Sequence, residues 1–181
     1  MKNIKKLLTY IFSFLLICII LWGSYFLVYG NFHKIDKDVY RSAQLFSFNL
    51  PYYIKKHKIK SILNLRKIKE DETWYKDEVN IAKKLNVKRY DYPISDRKIA
   101  TLQQMHQIVK LIKEAPKPLL IHCKAGADRT SLASALYKYV LKNDNNAKNE
   151  ISIVYGHFPW FGSKTIAMDK SFDFYISNIQ K

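Results

Sequence analysis

Apolar and polar positions divide the chain into two unequal parts. Residues 7–28 (LLTYIFSFLLICIILWGSYFLV) contain no charged side chain and no polar face. As a helix they span about 33 Å, enough for the ~30 Å hydrocarbon core of a bilayer. A buried helix of a soluble domain would keep a polar stripe. A cleaved secretory signal has a shorter apolar stretch and a small-residue cleavage site, and Val28-Tyr29-Gly30 is a poor one. Residues 1–30 therefore read as a short tail and an uncleaved transmembrane signal anchor, and 31–38 as a linker.

Beyond residue 38 the period alternates. Residues 50–57 read as a short helix, and 61–65 (SILNL) as a buried strand. Trp74, Val79, Ala82 and Leu85 give 73–85 helical spacing, and 87–92 read as a strand. Thr101 is an N-cap residue type before a stripe of Leu102, Met105, Ile108, Val109 and Ile112, and Pro116 and Pro118 stop that helix. An apolar strand follows at 119–121, then helices at 129–141, 147–154 and 171–179. Strands alternating with helices imply an α/β domain over 39–181, with a largely parallel central sheet flanked by helices.

Composition narrows the class. With 181 residues there is room for one domain and an appendage; two cysteines make no disulfide scaffold. The formal net charge is +16, and removing Lys2, Lys5 and Lys6 of the N-terminal segment leaves +13. Such a surface favours anionic partners: phosphorylated substrates or acidic headgroups. No RNA-binding or zinc-finger spacing is present, so nucleic acid is not expected. Basic residues on either side of the anchor tie in number. The short N-terminal tail is taken as cytoplasmic, which places the domain outside the cytoplasm.

The chemistry concentrates in Leu119-Leu-Ile-His122-Cys123-Lys124-Ala125-Gly126-Ala127-Asp128-Arg129-Thr130-Ser131, an apolar strand running through a short turn into a helix. Amides of such a turn, together with a helix N-terminus, cradle a phosphate dianion. Gly126 permits close backbone approach, and Arg129 offers a planar fork for two phosphate oxygens. The same cradle stabilises a thiolate at Cys123, the nucleophilic form. Thr130 can hydrogen-bond the sulfur, and His122 can orient the loop.

This His-Cys-five residues-Arg-Thr arrangement resembles the cysteine-dependent protein tyrosine phosphatase superfamily, and within it the bacterial dual-specificity-like phosphatases. Val39-Tyr40-Arg41-Ser42-Ala43-Gln44, Ile62-Leu-Asn64-Leu65-Arg66 and Tyr155-Gly-His157-Phe-Pro159-Trp160 resemble further segments of that family. Lys124-Ala-Gly is also similar to phosphoinositide phosphatases of the phosphatase-and-tensin type. Asp128 stands where tyrosine phosphatases often have Gly; an acid there also occurs in myotubularin-like lipid phosphatases. Residues 124–129 would then bind phosphate, and phosphomonoester hydrolysis would pass through a cysteinyl-phosphate without metal or organic cofactor. Protein phosphoesters and lipid or inositol phosphates both remain open as substrates.

A leaving oxygen needs a proton. Tyr92-Pro93-Ile-Ser-Asp96 resembles the acid loop of phosphoinositide phosphatases, which favours Asp96. Asp128 is its rival, or else pairs with a neighbouring Lys or Arg; Asp91 reads as structural. Arg41 and Arg66 are expected at the mouth, or else as ordinary strand-end residues. His33, His57 and His106 show no metal spacing, and His157 reads as a packing residue. Two other readings are a catalytically weak, membrane-tethered module that binds phosphorylated ligands, and a rhodanese-type sulfur transferase, whose loop normally lacks the Arg-Thr helix start.

Overall fold

The structure, a computed structural model, describes residues 2–179. Helix α1 (Lys2–Tyr29) is continuous, and its stretch Ile4–Leu21 is long and apolar enough to cross a membrane. Strands β1 (His33–Asp36), β2 (Val39–Ser42), β3 (Ser61–Asn64), β4 (Lys88–Asp91) and β5 (Leu119–His122) form one sheet in the order β1-β2-β5-β3-β4. β2, β5, β3 and β4 run parallel and β1 is an antiparallel edge.

Strand alternation loads both faces of the sheet. Leu63, Leu119 and Ile121 join one core with Met105, Ile108, Leu132, Leu136, Met168 and Phe172, which come from α4 (Leu102–Glu114), α5 (Arg129–Leu136) and α6 (Ala167–Ile179). Ile62 and Leu120 point the other way, into a smaller core with Leu50, Ile54 and Ala82 from α2 (Leu50–His57) and α3 (Thr73–Lys84). Both faces of the parallel sheet are thus covered. α4 starts where the sequence suggests, in a reciprocal cap: Thr101 Oγ1 accepts from Gln104 N–H while Thr101 N–H donates to Gln104 Oε1.

Four expectations are corrected. The segment taken as a linker, 31–38, contains β1, which folds back on β2 through a turn at Lys37-Asp38 and buries Ile35. Four residues with one apolar side chain give no readable period. The helix expected over 129–141 is α-helical to Leu136 and closes in a π turn, Tyr137–Leu141. The helix expected over 147–154 is two separate 3-10 turns, Ala147–Glu150 and Ile153–Tyr155, and the last helix begins earlier, at Ala167.

α1 passes into the domain with almost no spacer. Gly30 and Asn31 adopt positive φ and turn the chain directly into β1. Carbonyls of the last turn of a helix lack intrahelical partners. Here Asn49 Nδ2 donates to Val28 O and Tyr53 OH donates to Tyr29 O, both at 3.0 Å.

Candidate active site

The parallel strands deliver their carboxyl ends to one side of the sheet, where ligands of open α/β sheets bind. β5 ends at His122, so Cys123 is the first residue beyond the sheet; β3 leads to Arg66, β4 to the Asp96 loop, and β2 to Ala43 and Gln44. Cys123 is 1% exposed, at the floor of the loop 123–129 that ends on α5.

The loop is held by its carbonyls. Lys124 O accepts from Gln44 N–H at 3.1 Å, Ala125 O from Asn31 Nδ2 at 3.1 Å and Gly126 O from Arg41 Nη2 at 3.0 Å. A trans peptide points its N–H opposite to its C=O. With these three carbonyls tied outward, the amides of Ala125, Gly126 and Ala127 turn inward. None of the three has an acceptor among the described residues, as befits donors aimed at an anion. Gly126 sits at φ +70°, and a Cβ there would stand 2.6 Å from Ala43 N. Only glycine lets the loop rest on the end of β2.

Arg41 lies beneath the loop, not at its mouth. It is 0% exposed. Its guanidinium donates to Glu150 O and Oε2, Gly126 O and Ser131 Oγ, and stacks 3.7 Å from the Tyr155 ring centroid. Burial pulls its pKa down and Glu150 opposes that pull. The charge is buried because β2 runs parallel beside β5 and aims Arg41 under the turn. Arg66, by contrast, lines a cavity at the edge of the loop, with Lys124 and Ala125. It stacks on Trp74 at 3.6 Å and donates to Gln44 Oε1.

Behind Cys123 lies a buried polar network. His122 Nε2 is 3.2 Å from Glu78 Oε2, which also accepts from Gln44 Nε2, while Glu78 Oε1 accepts from Arg89 Nε. Burial alone would raise the Glu78 pKa, but His122 and Arg89 outweigh it and hold it at about 2. Asp91 accepts from Asn64 Nδ2 and Arg89 Nη2 and belongs to this network.

The two rival carboxylates have different partners. Asp96 Oδ2 lies 3.6 Å from Arg129 Nη2, and its side chain is 33% exposed. Asp128 Oδ1 lies 2.8 Å from His157 Nδ1, and His157 Nε2 lies 2.8 Å from Asp169 Oδ2. Asp128 therefore pairs with a histidine, not with the Lys or Arg expected of it. Burial disfavours charge on His157, but Asp128 and Asp169 prevail and raise its pKa. Arg129 Nε and Thr130 Oγ1 are buried without a protein partner among the described residues. Asn31, Glu78 and Glu150 support the loop, and no local sequence signal marks them; His157, read as a packing residue within a family-like segment, supports it through its two carboxylate contacts.

Comparison with known proteins decides the class. The profile of the family described as "DSP-PTPase phosphatase fused to NAD+ Kinase" matches residues 33–168. The chain belongs to this phosphatase family. No curated protein matches it significantly in sequence. Among solved structures it is similar to the core catalytic domain of the PP-IP phosphatase SIW14 from S. cerevisiae, with 21% identity and TM-score 0.65 over 82% of this chain and 90% of that one. It is also similar to P. aeruginosa TpbA, with 18% identity and TM-score 0.64 over 84% and 92%. PTPMT1 gives 17% identity and TM-score 0.61 over 82% and 98%. The DSP-type phosphatase is a cysteine-dependent hydrolase, and its match begins at β1, inside the segment read as a linker.

Proposed function

We propose that this phosphatase is anchored in a membrane by α1 and hydrolyses phosphomonoesters through a cysteinyl-phosphate on Cys123. The observation that carries the reading is the outward tethering of the Lys124, Ala125 and Gly126 carbonyls, which turns consecutive amides toward the space above a buried cysteine.

The Cys123 thiolate attacks phosphorus in line with the ester oxygen, forming an S–P bond as the P–O bond breaks. Loop amides and the Arg129 fork hold the equatorial oxygens, where preorganised donors contribute most. Asp96, beside Arg129 at the rim, protonates the departing oxygen. Water then attacks the cysteinyl-phosphate, giving its proton to the Asp96 carboxylate. As the S–P bond breaks and phosphate leaves, the Cys123 thiolate accepts a hydrogen bond from the Thr130 hydroxyl, whose lack of another partner fits that role. Asp128 is a positioning residue, committed to His157. The apolar helix supports the anchor, with the domain on the non-cytoplasmic side.

The test is phosphate release from phosphotyrosine peptide, phosphoserine peptide and short-chain phosphoinositides, with Cys123→Ser beside the wild type. Acid quenching during turnover should trap phosphate on the protein, and on Cys123 alone. Undiminished turnover by Cys123→Ser would sink the scheme.

A further inference from the structure

A cavity beside the loop 123–129, touching it at Lys124 and Ala125, has one wall from the N-terminal helix. The cavity, about 410 Å³, is lined by Gly23 and Phe26 of α1 together with Phe46, Arg66, Trp74 and Lys124. Gly23 leaves room in it: a Cβ at that position would meet no atom within 4 Å. Gly23 and Phe26 follow directly on the apolar stretch Ile4–Leu21, none of which the protein buries. Five residues of helix rise about 8 Å, so this wall stands where a bilayer-spanning helix leaves the hydrocarbon.

Exposed aromatics on two loops flank the same helix end. Phe46 stacks on Phe48, which is 65% exposed. On the other loop, a Cβ at Gly156 would stand 3.7 Å from the Phe26 ring. Just beyond it Phe158 packs against Trp160 and Phe161, and Phe161 is 96% exposed. Aromatic side chains concentrate at the headgroup level of membranes, and clustered exposed apolar groups mark contact surfaces.

We infer that the substrate is a phosphomonoester borne by a membrane lipid, a phosphatidic-acid-like molecule that enters from the bilayer along α1. Its phosphate reaches the loop over Cys123 past Arg66 and Lys124, while its glycerol end and first acyl methylenes lie against Gly23, Phe26 and Phe46. The lipid already holds its phosphate at the depth of the cavity and supplies alkyl surface to match the lining. A phosphate on a soluble protein must instead be brought down between the aromatic loops. The inference rests on the phosphatase reading above and narrows it to one substrate class.

The test uses the full chain reconstituted in phosphatidylcholine vesicles. Phosphate release is compared for dioleoyl phosphatidic acid in the same bilayer, and for glycerol 3-phosphate, a phosphotyrosine peptide and p-nitrophenyl phosphate in solution. The lipid should exceed glycerol 3-phosphate and the peptide in kcat/KM by on the order of a hundredfold, because sharing the bilayer raises its effective concentration at the cavity far above that of a solute. Gly23→Leu projects an isobutyl group into the cavity and should raise KM for the lipid about tenfold with kcat less affected. Leucine is the better helix former, so misfolding does not account for that change. Equal or faster turnover of the peptide or of glycerol 3-phosphate overturns the lipid assignment and leaves the phosphatase reading standing, as does an unchanged lipid KM in Gly23→Leu. Failure to hydrolyse even p-nitrophenyl phosphate overturns both.

Discussion

Asp128 Oδ1 and His157 Nδ1 lie 2.8 Å apart, joining the phosphate loop to a segment 29 residues away. The other ring nitrogen faces Asp169. An ionised carboxylate only accepts, so two of them flanking one imidazole favour the form that donates from both nitrogens, which is the positively charged one.

This pairing separates the two acid candidates. Asp96→Asn should lower kcat by about 10²–10⁴-fold on alkyl phosphates, which leave poorly, and far less on p-nitrophenyl phosphate. Its pH profile should lose the limb for a protonated acid. Asp128→Asn should keep that limb and lose stability instead. Profiles of kcat against pH for both variants decide between them, and a missing limb in Asp128→Asn alone reverses the assignment.

The same contact makes stability depend on pH. His157 has a folded pKa above its unfolded value of 6.5. Its contribution is fully present below that unfolded value and is lost as pH rises through the raised folded value. The melting-temperature gap between wild type and His157→Gln should be widest below pH 6.5 and narrow as the pH rises above it. A gap that widens with pH contradicts the charged pairing.

Gly126→Ala should disable the loop. The new methyl meets the backbone at Ala43 N, Ser42 C and Ser42 O, all closer than 3 Å, at φ +70°. Backbone atoms cannot swing aside as side chains do, and positive φ alone costs on the order of 1–3 kcal/mol. Near-complete loss of turnover with a lowered urea midpoint is expected. Wild-type kinetics in this variant would show that the loop does not rest on β2.

Arg41→Met should destabilise the chain by about 3–5 kcal/mol, because it strands Glu150 and frees the Gly126 carbonyl. Arg41→Lys should restore little, since an ammonium cannot serve Glu150, Gly126 O and Ser131 together as the guanidinium fork does. Urea unfolding of the two variants measures both effects.

Local signals explain what the sequence makes legible. The loop 123–129 is readable because its residue types are contiguous, and α4 because cap and stripe occur in one stretch. β1 and β2 are short and find their meaning only in each other and in β5. Arg41 looks like a surface residue because its partners Gly126, Ser131 and Glu150 lie 85 to 109 positions away. The rivalry of Asp96 and Asp128 is likewise undecidable locally, because His157 comes from a distant turn. The two charged site residues whose partners are misread, Arg41 and Asp128, are each neutralised by a group remote in sequence.

The junction between α1 and the domain bears on where this phosphatase can work. A catalytic unit on a flexible tether sweeps a dome whose radius grows with the tether. Here Val28 and Tyr29 are hydrogen-bonded to Asn49 and Tyr53, and β1 starts at His33. With α1 in a bilayer, the mouth over Cys123 travels in a plane at fixed height. For a substrate carried in that membrane, encounter is then lateral diffusion within a sheet, and the rate should follow its surface density, whatever the volume of solution around it.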